Sequence, residues 1–187
     1  MTTLQHWRFI DSGPASGVEN MRIDEKLLRD AQQAEALPVL RFYTWDPPAV
    51  SLGRFQRTEQ AVHEEACRRL GFDIVRRVTG GRAVLHNHEL TYAVISPERN
   101  PLFPRDVIGT YKVIAAGLLA GFRNLGIPAE MVTRSGCHST LVEKNSREAA
   151  CFSSPSWYEI VAQGKKVAGS AQRRVAGAFL QHGSILL

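Results

Sequence analysis

The chain has 187 residues, 44% of them hydrophobic and 22% charged, with a formal net charge of +5. That is enough for one domain whose core needs no covalent staples, and no run approaches the roughly 20 apolar residues of a membrane span. The opening MTTLQHWRFIDSG lacks the basic start and apolar stretch of a signal peptide. The three cysteines, with no CxxC spacing, argue against both a disulfide framework and a structural zinc. A soluble cytoplasmic protein is expected, attracted by its charge to something acidic.

Ile23, Leu27, Ala31 and Ala34 recur at three- and four-residue spacing, which predicts an amphipathic helix from Gly17 to Ala34. Val39–Trp45 reads as a strand, broken by Asp46-Pro47-Pro48 before a short AVSLG strand. Thr58–Leu70 reads as one charged amphipathic helix ended by Gly71. Phe72–Val78 alternates and is β-branched, a strand that runs into Thr79-Gly80-Gly81-Arg82. Ala83–His86 and Leu90–Ser96 flank Asn87-His88-Glu89 as an expected hairpin. After a Pro-rich loop over 97–104, Val107, Tyr111, Ile114, Leu118, Phe122 and Leu125 share one helical face closed by Gly126. Ile127–Val132 is a further strand. Residues 133–156 lack periodicity, and so long a loop in a compact domain is usually functional. Trp157–Ala162, a Gly164-Lys165 turn, Val167–Arg173 and Ala178–Leu187 read as consecutive strands. The sum is a single mixed α+β domain, a mostly antiparallel sheet with packed helices. Its last residues, Ile185-Leu186-Leu187, look like an unfinished strand and suggest a shortened chain.

Three pieces carry residue types suited to chemistry. In RRVTGGR (residues 76–82) two glycines permit a sharp turn with backbone N–H groups near a ligand oxygen. The three arginines there suit an anion or a polarised carbonyl, or are solvated around a plain turn. The stretch is neither a Walker loop nor a dinucleotide fingerprint. Cys151, in AACFSSPS, would need a neighbouring cation to reach its nucleophilic thiolate. Cys67 reads as structural in a helix, and Cys137 beside His138 is not thereby a nucleophile–base pair, because such pairs are spatial. In GKKVAGSA (residues 164–171) small residues on a strand leave room for a ligand along the backbone, with a lysine at its start. Two solvated turn lysines are the plain alternative. His86, His88, His138 and His182 show no metal-site spacing, so no metal is assigned.

Taken in order, these pieces with SGVENM, IDE, SLGRFQ, RRVTGGRAVLH, ELTYAVI, ACFSSPSWYEI, GKKVAGSAQRR and LQHGSILL resemble the biotin/lipoate protein ligase superfamily over almost the whole chain. Within it, Gly80-Gly81-Arg82 in place of three glycines fits the octanoyltransferase branch. The resemblance implies that octanoyl passes from acyl carrier protein to Cys151, and then to a lysine of glycine cleavage H protein or another lipoyl domain. No cofactor, nucleic acid or membrane takes part, and the enzyme is expected as a monomer. Lys166 is implied to lower the thiol's pKa. Arg77, Thr79, Gly80, Gly81, Arg82, Ala83, His86, Gly169, Ser170 and Ala171 are implied to line the substrate site, with Gly80 and Gly81 offering N–H groups to the oxyanion. Ala168 joins Gly169 and Ala171 in a slot for the eight-carbon tail. His86 and His182 stay open as bases or structural residues. Family members continue beyond an LQHGSI segment, so a C-terminally shortened domain is expected. Three alternatives remain: an ATP-dependent lipoate–protein ligase, an amidotransferase moving octanoyl between lipoyl domains, and a carrier- or nucleic-acid-binding module without thiol chemistry. The last lacks the aromatic-basic interleaving of single-strand binders.

Overall fold

A computed structural model describes residues 6–131 and 160–186. Strand β1 (Arg8–Ala15) leads into helix α1 (Gly17–Asp30), which carries the chain over to β2 (Val39–Trp45), parallel to β1. Ser16 caps α1 by accepting the N–H of Glu19 at 3.3 Å, and Met21, Leu27 and Leu28 are buried on its inner face. The helix stops four residues short of the expected end. Gln32 and Gln33 bond back to the carbonyls of Arg29 and Asp30, a three-residue spacing that tightens the last turn and turns Ala34 out of register.

The next unit repeats the pattern on a smaller scale. Strand β3 (Ala49–Leu52) is followed by short helices α2 (Thr58–Ala61) and α3 (Glu64–Arg69) and then β4 (Asp73–Arg76), parallel to β3. The single helix expected over Thr58–Leu70 is therefore two. Val62 is fully extended, at φ −146 and ψ 155, and His63 starts α3 by accepting the Ala66 N–H on its Nδ1.

Strand β5 (Val84–His86) pairs antiparallel with β3, completing a small sheet in the order β4-β3-β5. The chain then crosses to β6 (Glu89–Pro97) in the large sheet. The expected hairpin is thus not a hairpin: its strands belong to different sheets, and Asn87-His88, with His88 at φ 53, redirects the chain between them. Helix α4 (Val107–Asn124), capped by Asp106, precedes β7 (Ala129–Met131). Strands β8 (Ile160–Ala162), β9 (Lys165–Val175) and β10 (Ala178–Leu186) complete the large sheet, β1-β2-β6-β10-β9-β8-β7. Every neighbouring pair in it except β1/β2 is antiparallel, so the expected α+β class is what forms.

Central strand β10 sorts its side chains by face. Leu180 packs into the core beneath α1, whereas Phe179 and Ile185 enter the core beneath α4. Full burial of each such side chain contributes about 1.5–3 kcal/mol. The same alternation sets His182 and Ser184 on the α1 side, facing the small sheet.

Candidate active site

The space between the large sheet, α1 and the small sheet is a cavity. Its floor is Tyr43 and Trp45 of β2, Thr91 of β6, His182 and Ser184 of β10, and Gly169 and Ala171 of β9. Met21 of α1, Ser51 of β3, Val84 and His86 of β5, and Arg77 and Gly81 of the β4–β5 loop close the other sides. A larger cleft of about 550 Å³ separates α4 from the opposite face of the sheet, but Tyr92 is the only titratable residue among its described lining. Convergent polar groups rather than size mark a site for chemistry, and they converge on the first cavity.

The glycine loop is held from beneath. Arg77 is buried and donates from Nη1 to the Ser51 carbonyl (2.8 Å) and Oγ (3.1 Å), and from Nη2 to the carbonyls of Gly80 (2.8 Å) and Arg82 (2.7 Å). Arg76 does the same for the loop after β3, reaching the carbonyls of Gly53 (3.0 Å) and Gln56 (2.7 Å). Arg77 is buried and Arg76 exposed, yet both satisfy carbonyls that the loops leave unpaired. The two loops also touch directly. The Arg54 N–H donates to the Thr79 carbonyl at 2.8 Å, and a Cβ on Gly53 would overlap the carbonyl of Gly81. Gly81 itself sits at φ 94, where a side chain is strained.

Two imidazoles stand at the cavity, each backed by a carboxylate. His182 Nδ1 lies 2.9 Å from Asp24 Oδ2, and its Nε2 is 2.7 Å from Thr79 Oγ1. Asp24 also accepts from Arg41 Nη1 (2.7 Å) and the Tyr43 hydroxyl (3.0 Å). Burial, and next the charge of Asp24, push the Tyr43 phenol well above its ordinary pKa, so it remains a donor. His86 Nδ1 lies 2.6 Å from Glu89 Oε1, and its Nε2 is 2.6 Å from Ser51 Oγ. The ring stacks on Trp45, centroids 3.9 Å apart and planes 13° from parallel. Burial lowers the His86 pKa against the opposing pull of Glu89, so the ring is neutral at neutral pH. An ionised carboxylate only accepts, so a proton sits on Nδ1 in each pair, and the neutral His86 ring accepts the Ser51 hydroxyl on Nε2.

Of the residues expected from the sequence, Arg77, Gly81, His86, Gly169, Ser170 and Ala171 line this cavity. Thr79 lies behind it, on His182, and Ala83 is packed in the core of the small sheet. Gly80 and Arg82 contribute the carbonyls that Arg77 grips. Ala168 is buried in the core under α4, so it does not share the slot of Gly169 and Ala171. Lys166 is a half-buried residue of β9, three positions ahead of Gly169. Cys151, with Cys137, His138 and the loop over 133–156, lies outside the described residues. Sequence reasoning missed Ser51, Glu89 and Asp24. Among the described residues no group of three or more His, Cys, Asp and Glu side chains is placed to hold a metal ion, and no helix is long and apolar enough to cross a membrane.

Comparison with known proteins sharpens this picture. Residues 16–187 match the model of the lipoyl protein ligase A/B catalytic domain. The chain is 50% identical over 181 residues to octanoyltransferase LipM of Anoxybacillus flavithermus, covering 97% of this chain and 65% of that protein. It is 49% identical, with the same coverage, to octanoyltransferase LipM of Bacillus subtilis. The chain thus spans just under two thirds of the length of these curated relatives. Among solved structures, lipoate-protein ligase A bound with ATP superposes with a TM-score of 0.76 at 24% identity, over 98% of this chain and 67% of that one, which places the fold.

Proposed function

The chain belongs to the lipoyl protein ligase A/B catalytic domain family, and from that premise we propose that it is an octanoyltransferase of lipoate assembly. In this reading it takes octanoyl from its thioester on acyl carrier protein, holds it on Cys151, and passes it to a lysine of glycine cleavage H protein or another lipoyl domain. The observation that carries the reading is about 50% identity to octanoyltransferases across 97% of the chain, against 24% to the ATP-bound ligase.

The Cys151 thiolate attacks the donor thioester; the C–S bond to the carrier breaks, and the carrier leaves as a thiolate that takes up a proton. The Lys166 ammonium favours the thiolate form of Cys151 by opposite charge. N–H groups of Gly80 and Gly81 stabilise the oxyanion. The acceptor amine then displaces Cys151, exchanging a thioester for an amide, which runs downhill without ATP. Gly169 and Ala171, bare of bulk on the cavity floor, leave a slot for the acyl tail, with burial contributing about 0.8 kcal/mol per methylene. The positive charge of the chain suits acidic carrier proteins.

The test is intact mass after mixing the protein with octanoyl-acyl carrier protein in the absence of ATP, followed by peptide mapping. One octanoyl group on Cys151, discharged by an apo lipoyl domain, is the expected result. Transfer only after ATP is added would instead make the chain a ligase. An adduct obtained from acyl-H protein but not from acyl carrier protein would make it an amidotransferase. Carrier binding with no adduct under any condition would leave a binding module.

A further inference from the structure

The two carboxylate-backed imidazoles differ in where their hydrogen-bond chains end. Behind His182 the chain runs to Thr79, which does not line the cavity. Behind His86 it runs to Ser51, whose hydroxyl belongs to the cavity wall together with the ring itself. Only the second chain ends on a group of the cavity wall. We propose that Ser51, His86 and Glu89 form the relay that removes a proton from the ammonium of the incoming acceptor lysine, with Ser51 Oγ in contact with that nitrogen and Glu89 as a positioning residue. The proposal rests on the acyl-transfer reading above.

The chemistry requires such a group. A lysine side chain is an ammonium at neutral pH, with a pKa of about 10.4, and its nitrogen has no lone pair until a proton leaves. The ammonium proton passes to Ser51 Oγ as the serine's own proton passes to His86 Nε2. This leaves an amine, and an imidazolium whose Nδ1–H faces Glu89. The amine forms the new C–N bond to the acyl carbon; the C–S bond breaks and its electron pair leaves on sulfur. The nitrogen's second proton goes to that departing sulfur, and the imidazolium returns the first to water. The ammonium has then lost two protons, the thiol has gained one, and one is released.

Each part of the relay is built for this. Arg77 Nη1 sits on Ser51 Oγ at 3.1 Å and occupies a lone pair, which leaves the hydroxyl hydrogen aimed at His86. Trp45 holds the ring plane by stacking. Glu89 Oε1 gathers three donors: His86 Nδ1 at 2.6 Å and the hydroxyls of Thr91 and Ser184 at 2.8 Å each. Glu89 Oε2 is buried and, among the described residues, without a hydrogen-bond partner, so Oε1 is the atom through which this carboxylate holds the ring. Among the described residues, the charged and titratable groups facing His86 are Glu89 of β6, Arg77 after β4 and His182 of β10.

The experiment uses the full chain, loaded with octanoyl from octanoyl-acyl carrier protein and freed of donor. Single-turnover discharge is then followed with two nucleophiles: the lysine of an apo lipoyl domain, and hydroxylamine, whose nitrogen is uncharged at neutral pH. His86→Gln and Ser51→Ala are expected to slow discharge to the lysine by about 10²–10⁴-fold. The same acyl-enzymes should discharge to hydroxylamine at close to the wild-type rate, which also reports that the site is intact. Glu89→Gln should behave likewise, Ser51→Thr should keep most of the rate, and raising the pH should recover lysine discharge in the slow variants. Equal slowing with both nucleophiles would make these residues merely structural and overturn the proposal, as would an unchanged rate with lysine or an octanoyl ester found on Ser51. If the wild-type chain forms no acyl-enzyme at all, the transfer reading fails first and the relay with it.

Discussion

Replacing Asp24 with asparagine tests how the cavity is held together. Three donors converge on this buried carboxylate: Arg41 on Oδ1, and Tyr43 and His182 on Oδ2. An asparagine has one oxygen, so its NH₂ must meet either the guanidinium or the phenol and imidazole, donor against donor. The remaining partners of Arg41, on Ser12 and Asn20, are all neutral, so a fully buried positive charge loses its counter-ion. Breaking one side of a buried pair costs about 3–5 kcal/mol. At about 2–4 °C per kcal/mol for a domain of this size, Tm should fall on the order of 10 °C. Urea unfolding followed by tryptophan fluorescence, alongside a thermal scan, measures both quantities. The double variant Asp24→Leu with Arg41→Met should lose less than Asp24→Asn alone, because no charge is then left unpaired. A loss below about 1 kcal/mol for Asp24→Asn, or additive losses in the double variant, would refute the view that this pair is a coupled, buried unit.

A methyl group added at Gly53 would overlap the Gly81 carbonyl, so Gly53→Ala should displace the glycine loop, lower stability by about 1–3 kcal/mol and reduce acyl transfer more than tenfold. Gly117→Ala, with open space around the added carbon in mid-helix, should be neutral or gain about 0.5–1 kcal/mol, and the pair are compared by urea midpoints. Because burial holds the His86 pKa below its unfolded value of about 6.5, the unfolded chain takes up the proton first as the medium is acidified. The contribution of the neutral ring is therefore whole above about pH 6.5 and is lost as pH falls through the lowered folded pKa. Unfolding midpoints measured from pH 7.5 to 5 should thus drop more steeply for wild type than for His86→Asn, and parallel curves would count against the buried neutral ring. Lys166→Ala should slow iodoacetamide alkylation of Cys151 at neutral pH and leave it unchanged at high pH, where the thiolate forms unaided; equal neutral rates would remove Lys166 from that role.

Where one period dominates a segment, the sequence shows the element directly. Strand β2 falls on the expected Val39–Trp45, and α4 on the stripe from Val107. Strand β1 had no such mark. Its RFIDSGPA carries Gly13 and Pro14, its register breaks between Asp11 and Pro14, and it lies at the sheet edge, where burial imposes no clean alternation. The partner of a strand is harder still to read, because β5 and β6 look like a hairpin in sequence and separate only when each finds its own sheet.

The site divides along the same line. Gly81 stands out because its φ of 94 suits a glycine, and Gly53 because the Gly81 carbonyl leaves no room for a side chain, but Asp24, Ser51 and Glu89 are ordinary residues in ordinary elements. Asp24 and His182 are 158 positions apart, and no local pattern can join them. One signal was nonetheless there to use. Asp24 shares a helical face with Met21, Leu27 and Leu28, at spacings of three and four, so the stripe that marks α1 as buried also buries a carboxylate. A buried charge requires a partner. Arginines invite the opposite error. Three of them around two glycines suggest an anion site, yet a glycine loop folded inward brings carbonyls that no side chain of its own can satisfy. Arg77 meets that demand in the glycine loop, and Arg76 meets the same demand in the loop after β3. Near a glycine turn, backbone acceptors have to be counted before an arginine is assigned to a ligand.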